Sequence, residues 1–380
     1  MKIGVIGYGK RAGHIMAALQ QMEPQCDVTA ITDTSPDIIN ESLGEKSNNI
    51  HFYEVPEHML EKEKLDGIII GTRCSLHTKM ALKVFPYNLP LFLEKPVAIN
   101  ETDLLKLKKG HEEFPSPVMV SFPLRATPII EQVKKIIDSG LVGTIEHVQA
   151  VNNVPYGGNY YQGWYRDEEE TGGLFLQKAT HDFDYINYLV GSTPVQISAM
   201  QSKQIYKGQK PAGLMCVNCE EKYTCRESAV MKRLNEEQVF GEYCCFANDT
   251  GNHDSASVLI RYDTGMHAVY SQNFFVRKEA KARGARLMGY KGTVEFDFYT
   301  DTIKVFMHHN NRVETHVINE KDRAHFGGDR NLARNFIAMM RGNALSISTL
   351  EDGILSALMC IKARESAMGE RFEEITFKRI

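Results

Sequence analysis

Lys2-Ile3-Gly4-Val5-Ile6-Gly7-Tyr8-Gly9-Lys10-Arg11-Ala12-Gly13 is the stretch on which the fold turns. A short apolar run ends in two glycines spaced by one residue, and helical apolar spacing follows at once, from Arg11 to Met22. Gly7 permits a tight turn there, Gly9 lets a backbone approach a pyrophosphate, and Ala12 stands where a third glycine would close the fingerprint. Unsatisfied N–H groups and the positive end of the helix dipole meet the phosphate charge. Gly7, Tyr8, Gly9, Lys10 and Arg11 thus form a candidate dinucleotide cradle. Asp33 ends the next strand-like run, roughly 20 residues on, where a carboxylate bonds ribose hydroxyls and repels a ribose phosphate; NAD is therefore expected over NADP. A glycine pair alone is often a bare turn, and it is the flanking strand, the helix and Asp33 together that argue for a nucleotide.

Working outward, β-branched runs at Lys2 to Gly7, Val28 to Asp33, His51 to Glu54, Gly67 to Thr72, Leu89 to Glu94 and Val118 to Phe122 alternate with helical patterns. The alternation predicts an α/β fold beginning with a doubly wound Rossmann domain over residues 1–123. The remainder, 124–380, changes texture: alternating runs at Ser257 to Tyr262, Met266 to Gln272, Thr293 to Phe298 and Ile303 to His308 predict a large, mostly antiparallel open sheet. Helices are expected at Pro128 to Asp138, Arg330 to Arg341 and Leu350 to Met368, the last packing back on the first domain. With 380 residues, 43% of them hydrophobic, 24% charged and a net charge of -4, the chain has the balance of a globular protein with no electrostatic pull toward nucleic acid. Apolar runs are too short to span a bilayer, and neither a membrane partner nor a signal peptide is expected. A cytoplasmic address follows, with the eight cysteines reduced or metal-bound.

Glu94-Lys95-Pro96 closes the fifth strand, where doubly wound sheets bind ligands above their carboxyl ends. A lysine on such a corner can polarise a reacting oxygen, although most lysines are merely solvated. A second motif, Gly172-Gly173-Leu174-Phe175-Leu176-Gln177-Lys178-Ala179-Thr180-His181-Asp182-Phe183-Asp184, reads as a helix in which Gln177 and His181 share a face and Asp184 orients the histidine ring. Oxidising a carbinol requires a base on its hydroxyl: His181 fits that role, Lys95 would stabilise the alkoxide, and Lys178 would supply a second cation. A helix histidine satisfied by a nearby carboxylate is the plainer alternative. Arg125 and the aromatic stretch Tyr156 to Arg166, Tyr165 above all, are candidates for holding a sugar, as is Gln177; a loop packed by aromatics explains the stretch equally well.

These residues, with Thr72 and His77 after the fourth strand, Arg125, Gly140 to Gly143, His325-Phe326-Gly327-Gly328-Asp329 and Asp352-Gly353 through Ser366, recur in the order of the Gfo/Idh/MocA oxidoreductases, which the chain resembles over nearly its whole length. The resemblance implies a nicotinamide cofactor in a crevice between two domains, contacted also by Thr72, His77, Glu94 and Lys95, and a homo-oligomer, dimer or tetramer, built through the outer face of the second sheet. It implies a sugar, inositol or related polyol as substrate. Gln177 and Ala179 depart from the usual pattern, which has aspartate and glycine there. The variant resembles a subgroup that also carries a cysteine-containing insertion, here residues 201–252. Within it Cys216, Cys219, Cys225 and Cys244 can form a structural zinc site, set against free thiols, a disulfide or an iron–sulfur cluster. Two further functions stay open: a lyase, glycosidase or epimerase that retains its NAD, and a non-catalytic NAD(H)-binding regulator.

Overall fold

A computed structural model describes residues 1–319 and 324–377. Six parallel strands, β1 (Lys2–Ile6), β2 (Asp27–Thr32), β3 (His51–Tyr53), β4 (Gly67–Ile70), β5 (Leu91–Leu93) and β6 (Val118–Val120), stand in the order β3-β2-β1-β4-β5-β6. Their apolar runs are buried on both faces, as parallel strands covered by helices must be: Ile68, Ile69 and Ile70 of β4 have no exposed surface. The first helix, Lys10–Met22, buries Ala12, Ile15, Met16 and Leu19 on one face. Its amino end lies over the strand tips, beside the β1 turn.

Nine further strands form the second sheet: β7 (Ile145–Asn153), β8 (Pro194–Ser202), β9 (Ser255–Tyr262), β10 (His267–Asn273), β11 (Ala282–Gly289), β12 (Gly292–Asp297), β13 (Thr302–Met307), β14 (Val313–Val317) and β15 (Glu373–Glu374). Their order is β14-β13-β12-β11-β7-β10-β9-β8-β15, antiparallel except where β10 runs parallel to β7. Strict alternation in β9, with Ala256, Val258, Ile260 and Tyr262 inward, gives this sheet one buried face and one outward face. Register then sets polar residues side by side on the inward face: Asn152 of β7 stands opposite Gln272 of β10 and Arg283 of β11. Such a buried polar row must be hydrogen-bonded or it costs stability. It forms the floor of the site described below.

The carboxyl-terminal helices complete the first sheet. Gly328–Met340 packs Leu332, Ala333, Phe336 and Ile337 into one cluster with Ile3, Val5, Ile15, Ile69 and Phe92. Leu350–Gly369 begins at a capping box between Thr349 and Asp352 and lies along β6, β8 and the helix Thr180–Val190. Gly353 allows this approach, since a Cβ there would stand 2.8 Å from methyls of both Val97 and Val120.

Between β8 and β9, Lys203 to Asp254 carries no strand apart from isolated bridges, and an apolar cluster staples its Tyr206 and Cys245 to Tyr161 and Phe274 outside it. Glu227 adds ion pairs to Lys232 and Arg277. Zinc is not supported as that staple. Cys216, Cys219, Cys225 and Cys244 are free thiols, and among the described residues no three Cys, His, Asp or Glu side chains gather closely enough to hold a metal.

If the helix Gly328–Met340 is part of the first sheet's core, Phe336→Ala will cost about 3–5 kcal/mol. The exposed Arg334→Ala will stay within about 0.5 kcal/mol. Urea unfolding of the two variants measures the difference.

Candidate active site

The crevice lies above the carboxyl ends of β1, β4 and β5. At its head Gly7 adopts φ 81°, and no other residue fits, because a Cβ would meet the backbone nitrogen of Thr72 at 2.7 Å. Gly9 flanks the helix start with no side chain capping the first N–H groups. Asp33 accepts from Tyr8 N at 2.8 Å through Oδ2 and from Ser35 N at 2.9 Å through Oδ1, which fixes the carboxylate at the β2 tip.

Arg11, expected to contact cofactor, turns its guanidinium inward. It donates to Glu94 Oε1 at 2.8 Å, to Ser121 Oγ at 2.9 Å and to both oxygens of Asp329 at 2.7 Å. A planar fork saturated in this way leaves only the backbone N–H for a ligand and ties the glycine turn to β5 and to the helix Gly328–Met340. The Glu94 carboxylate is occupied by the same tie. His77, also expected at the cofactor, is buried between two carbonyls, Pro96 O at 2.7 Å and Thr72 O at 3.1 Å. Burial keeps its imidazole below the ordinary range, so it is neutral and donates to one carbonyl only. It clamps the β4 loop to the Lys95 corner.

Lys95 reaches across to the second sheet's side and donates to the backbone oxygen of Gln177 at 3.0 Å. Burial brings its pKa down to about 8. The segment that receives it is a π-helical turn, Phe175–Ala179, running into the helix Thr180–Val190. That widened turn holds one residue more than α spacing assumes, and π turns recur at functional sites. Consequently Gln177 does not share a working face with His181. Its side-chain amide donates to Thr171 O at 2.9 Å and is buried away from any ligand.

His181 lies under this turn, 7% exposed, its ring against Phe122 and 6.5 Å from the ring of His325. Its Nδ1 is buried without a partner among the described residues. Burial first, and then the charges of Lys95 and Arg283, hold this imidazole well below its usual range, so it is neutral. Asp184 does not orient it. That carboxylate is one turn away from His181 but faces Arg125, which it binds at 2.5 and 3.1 Å. Arg125 also donates to Asp352 at 2.7 Å, so the arginine expected at substrate is instead a buried tie between β6, the His181 helix and the last helix.

Asp182 faces the opposite way, onto the sheet floor, with no exposed surface. It accepts from Arg283 Nε, Asn152 Nδ2 and Tyr270 OH, each at 2.8 Å. Lys178 donates to Tyr156 OH, and its ammonium also lies 4.5 Å from that ring's centroid. Burial lowers the Lys178 pKa. Burial works against ionising the Tyr156 phenol, but the Lys178 and Arg283 charges outweigh it and its pKa falls below 10. Tyr165 is stacked on Trp164 at 3.9 Å, with its phenol pushed up to about 12, chiefly by burial. Beyond Tyr156 opens a cavity of about 480 Å³ lined by Tyr156, Lys281, Arg283, Tyr299, His325 and Phe326. His325 and Phe326 hold positive φ, 43° and 55°, and His325 Nδ1 meets Asp329 Oδ2 at 2.8 Å. Left-handed backbone at two consecutive non-glycine residues is strained, and such strain concentrates at functional sites.

The structure therefore brings Lys95, Lys178 and His181 together with Tyr156, from the aromatic stretch considered for a sugar, and adds Arg283 and His325, to which the sequence assigned no role. For Arg283 a signal existed: it is a charged residue at an inward position of an alternating strand, β11.

A doubly wound nucleotide domain joined to an open antiparallel sheet, with a cationic cluster at the seam, defines an oxidoreductase architecture. The chain belongs to the Gfo/Idh/MocA family of NAD-dependent oxidoreductases: residues 1–122 match its NAD-binding Rossmann fold and residues 130–295 its C-terminal domain. The oxidoreductase YteT of Bacillus subtilis is 22% identical over 83% of each chain. A myo-inositol 2-dehydrogenase of Thermotoga maritima is 25% identical over 52% of this chain and 58% of its own. Among solved structures, levoglucosan dehydrogenase in complex with NADH and levoglucosan superposes with a TM-score of 0.78 at 17% identity, covering 99% of each chain, which is a likeness of fold.

Replacing Arg125 by alanine strands the buried Asp184 carboxylate, so Arg125→Ala will lose about 3–5 kcal/mol of stability. Chemical denaturation reads that loss. A substrate-binding arginine would instead raise KM at unchanged stability.

Proposed function

We propose that this protein transfers a hydride between NAD and a secondary hydroxyl of a sugar, inositol or related polyol, with His181 as the proton acceptor and Lys95 polarising the reacting oxygen. The observation that carries the reading is a neutral, buried imidazole with an unpartnered nitrogen beside two buried ammonium groups.

Backbone N–H groups of the Gly7–Lys10 turn fit a pyrophosphate, Asp33 fits the adenosine ribose, and its negative charge favours NAD over NADP. Thr72 closes the other side of that turn. A nicotinamide held by these residues would supply the acceptor for the hydride of the carbinol carbon. His181 removes the hydroxyl proton, which a neutral imidazole does and an imidazolium does not. The Lys95 ammonium faces the developing alkoxide in a site of low dielectric, where a fixed charge stabilises most. Lys178, which donates to Tyr156 OH, would hold a second ammonium at the same seam.

Holding Lys95 charged in this environment costs stability at every pH below about 8, and the cost fades as pH rises through 8 toward the ~10.4 of a free lysine. Lys95→Met will therefore melt a few degrees higher than the parent at pH 7 while losing turnover by about 10²–10⁴-fold, and His181→Ala will lose turnover by a similar factor. Absorbance at 340 nm with NAD+ and a panel of inositols, aldoses and sugar acids reads both variants. NADH accumulating with product marks net oxidation, whereas product formed without it marks a retained cofactor.

With Lys95 required as the cation and His181 neutral throughout, kcat/KM will be level from about pH 6 to 7, reach half its plateau near pH 8 and fall further above it as the ammonium loses its proton. A profile still level at pH 9.5 refutes the role given to Lys95.

A further inference from the structure

We propose that the substrate carries a carboxylate, as aldonic and uronic acids do, and that Arg283 and Lys281 bind it in the cavity beside Tyr156. The inference rests on the dehydrogenase reading and specifies the class of hydroxyl compound that the centre accepts.

The charge on the cavity wall is the first argument. Arg283 and Lys281 line it together with two tyrosines, His325 and Phe326, and no carboxylate is among these lining residues. Asp182, the carboxylate nearest to Arg283, lies in the floor and already accepts from Arg283, Asn152 and Tyr270. Among the described residues Lys281 pairs with Glu279, an exposed side chain, at 3.3 Å. Lys95 and Lys178 add two more cations behind the wall. Among the described residues the cavity thus presents more positive charge than its own anions offset, and a neutral polyol would leave that excess unmatched.

Geometry supplies the second argument. Arg283 is 4% exposed and bonds Asp182 through Nε alone, while its buried Nη2 has no partner among the described residues. Buried guanidinium N–H groups are rarely left unsatisfied, because they fit a planar carboxylate two at a time. The cations that hold down the pKa of Tyr156 are Lys178 and Arg283, so the same guanidinium acts on the wall where the ligand would lie. A volume of about 480 Å³ falls within the usual range for small-molecule sites and leaves space for one sugar acid, its carboxylate at Arg283 and its hydroxyls toward Tyr156 and His181. A phosphate monoester is the less suitable anion: among the described residues side chains line the cavity, and no helix start with free N–H groups opens into it.

The test measures binding and turnover on the intact enzyme. Calorimetric titration of the NADH complex with gluconate, glucuronate, glucose, myo-inositol and glucose 6-phosphate will give the two carboxylates at least tenfold tighter binding than the neutral compounds and the phosphate. Affinity will weaken as salt rises from 50 to 500 mM. Lys281→Ala will raise KM for the carboxylate about tenfold with kcat little changed. Arg283→Lys, which keeps a charge for Asp182, will weaken carboxylate binding further without loss of NADH binding. Equal or tighter binding of glucose or inositol, preference for the phosphate, no binding of either acid, or an unaltered KM in Lys281→Ala each overturns the proposal. Carboxylates that bind but yield no NADH would leave the anion site standing and remove the dehydrogenase reading. Neutral polyols oxidised faster than the acids would do the reverse.

Discussion

Asp182 is the contact on which the working arrangement depends. A carboxylate with no exposed surface survives only when its lone pairs are filled, and Arg283, Asn152 and Tyr270 fill them from three adjacent strands. Because Asp182 is pinned to the floor, the helix Thr180–Val190 cannot rotate, and successive helical residues point about 100° apart. His181 is thereby aimed at the crevice and Asp184 at Arg125. One buried anion sets the direction of His181 and anchors an arginine.

Positive charge is the second constraint. Lys95 and Lys178 sit where burial opposes their ammonium forms, and Arg283 stays charged because Asp182 outweighs burial. A protein selected for stability alone would not gather these groups at a seam. The same crowding keeps His181 neutral. Arg11 and Arg125 act differently: each is matched by two carboxylates, Glu94 with Asp329 and Asp184 with Asp352. These matched clusters are ties between elements, and the unmatched cluster is where chemistry is proposed.

The first sheet was legible because a parallel strand buried on both faces must be written in consecutive apolar residues, as Ile68-Ile69-Ile70 is. The strands at Ile145–Asn153 and Ala282–Gly289 were not read, since their inward positions include Asn152 and Arg283 and so break the alternation that marks a strand. Lys95, Lys178 and His181, singled out from motif and position, lie together at the seam. Arg125, Arg11 and His77 were expected at ligand because residue type and strand-end location are all that a sequence shows. Which partner claims an arginine depends on elements more than two hundred residues away, Asp352 for Arg125 and Asp329 for Arg11. The spacing argument for Gln177 and Asp184 failed for a local reason, the π turn, which spacing alone does not reveal. The cysteine motif pointed to metal, but Tyr206 and Cys245 show the insertion packing by aromatic and apolar contact instead.

Phe336 and its neighbours supply apolar cover for β1 and β5 from the far end of the chain. On the ribosome, the nucleotide-binding domain, residues 1–122, emerges with Ile3, Val5 and Phe92 lacking that cover, and at roughly 5–20 residues per second the missing helix arrives about ten seconds or more later. The nucleotide-binding half therefore matures only after synthesis has passed Met340. Until then its apolar face is a target for chaperones and a liability for aggregation.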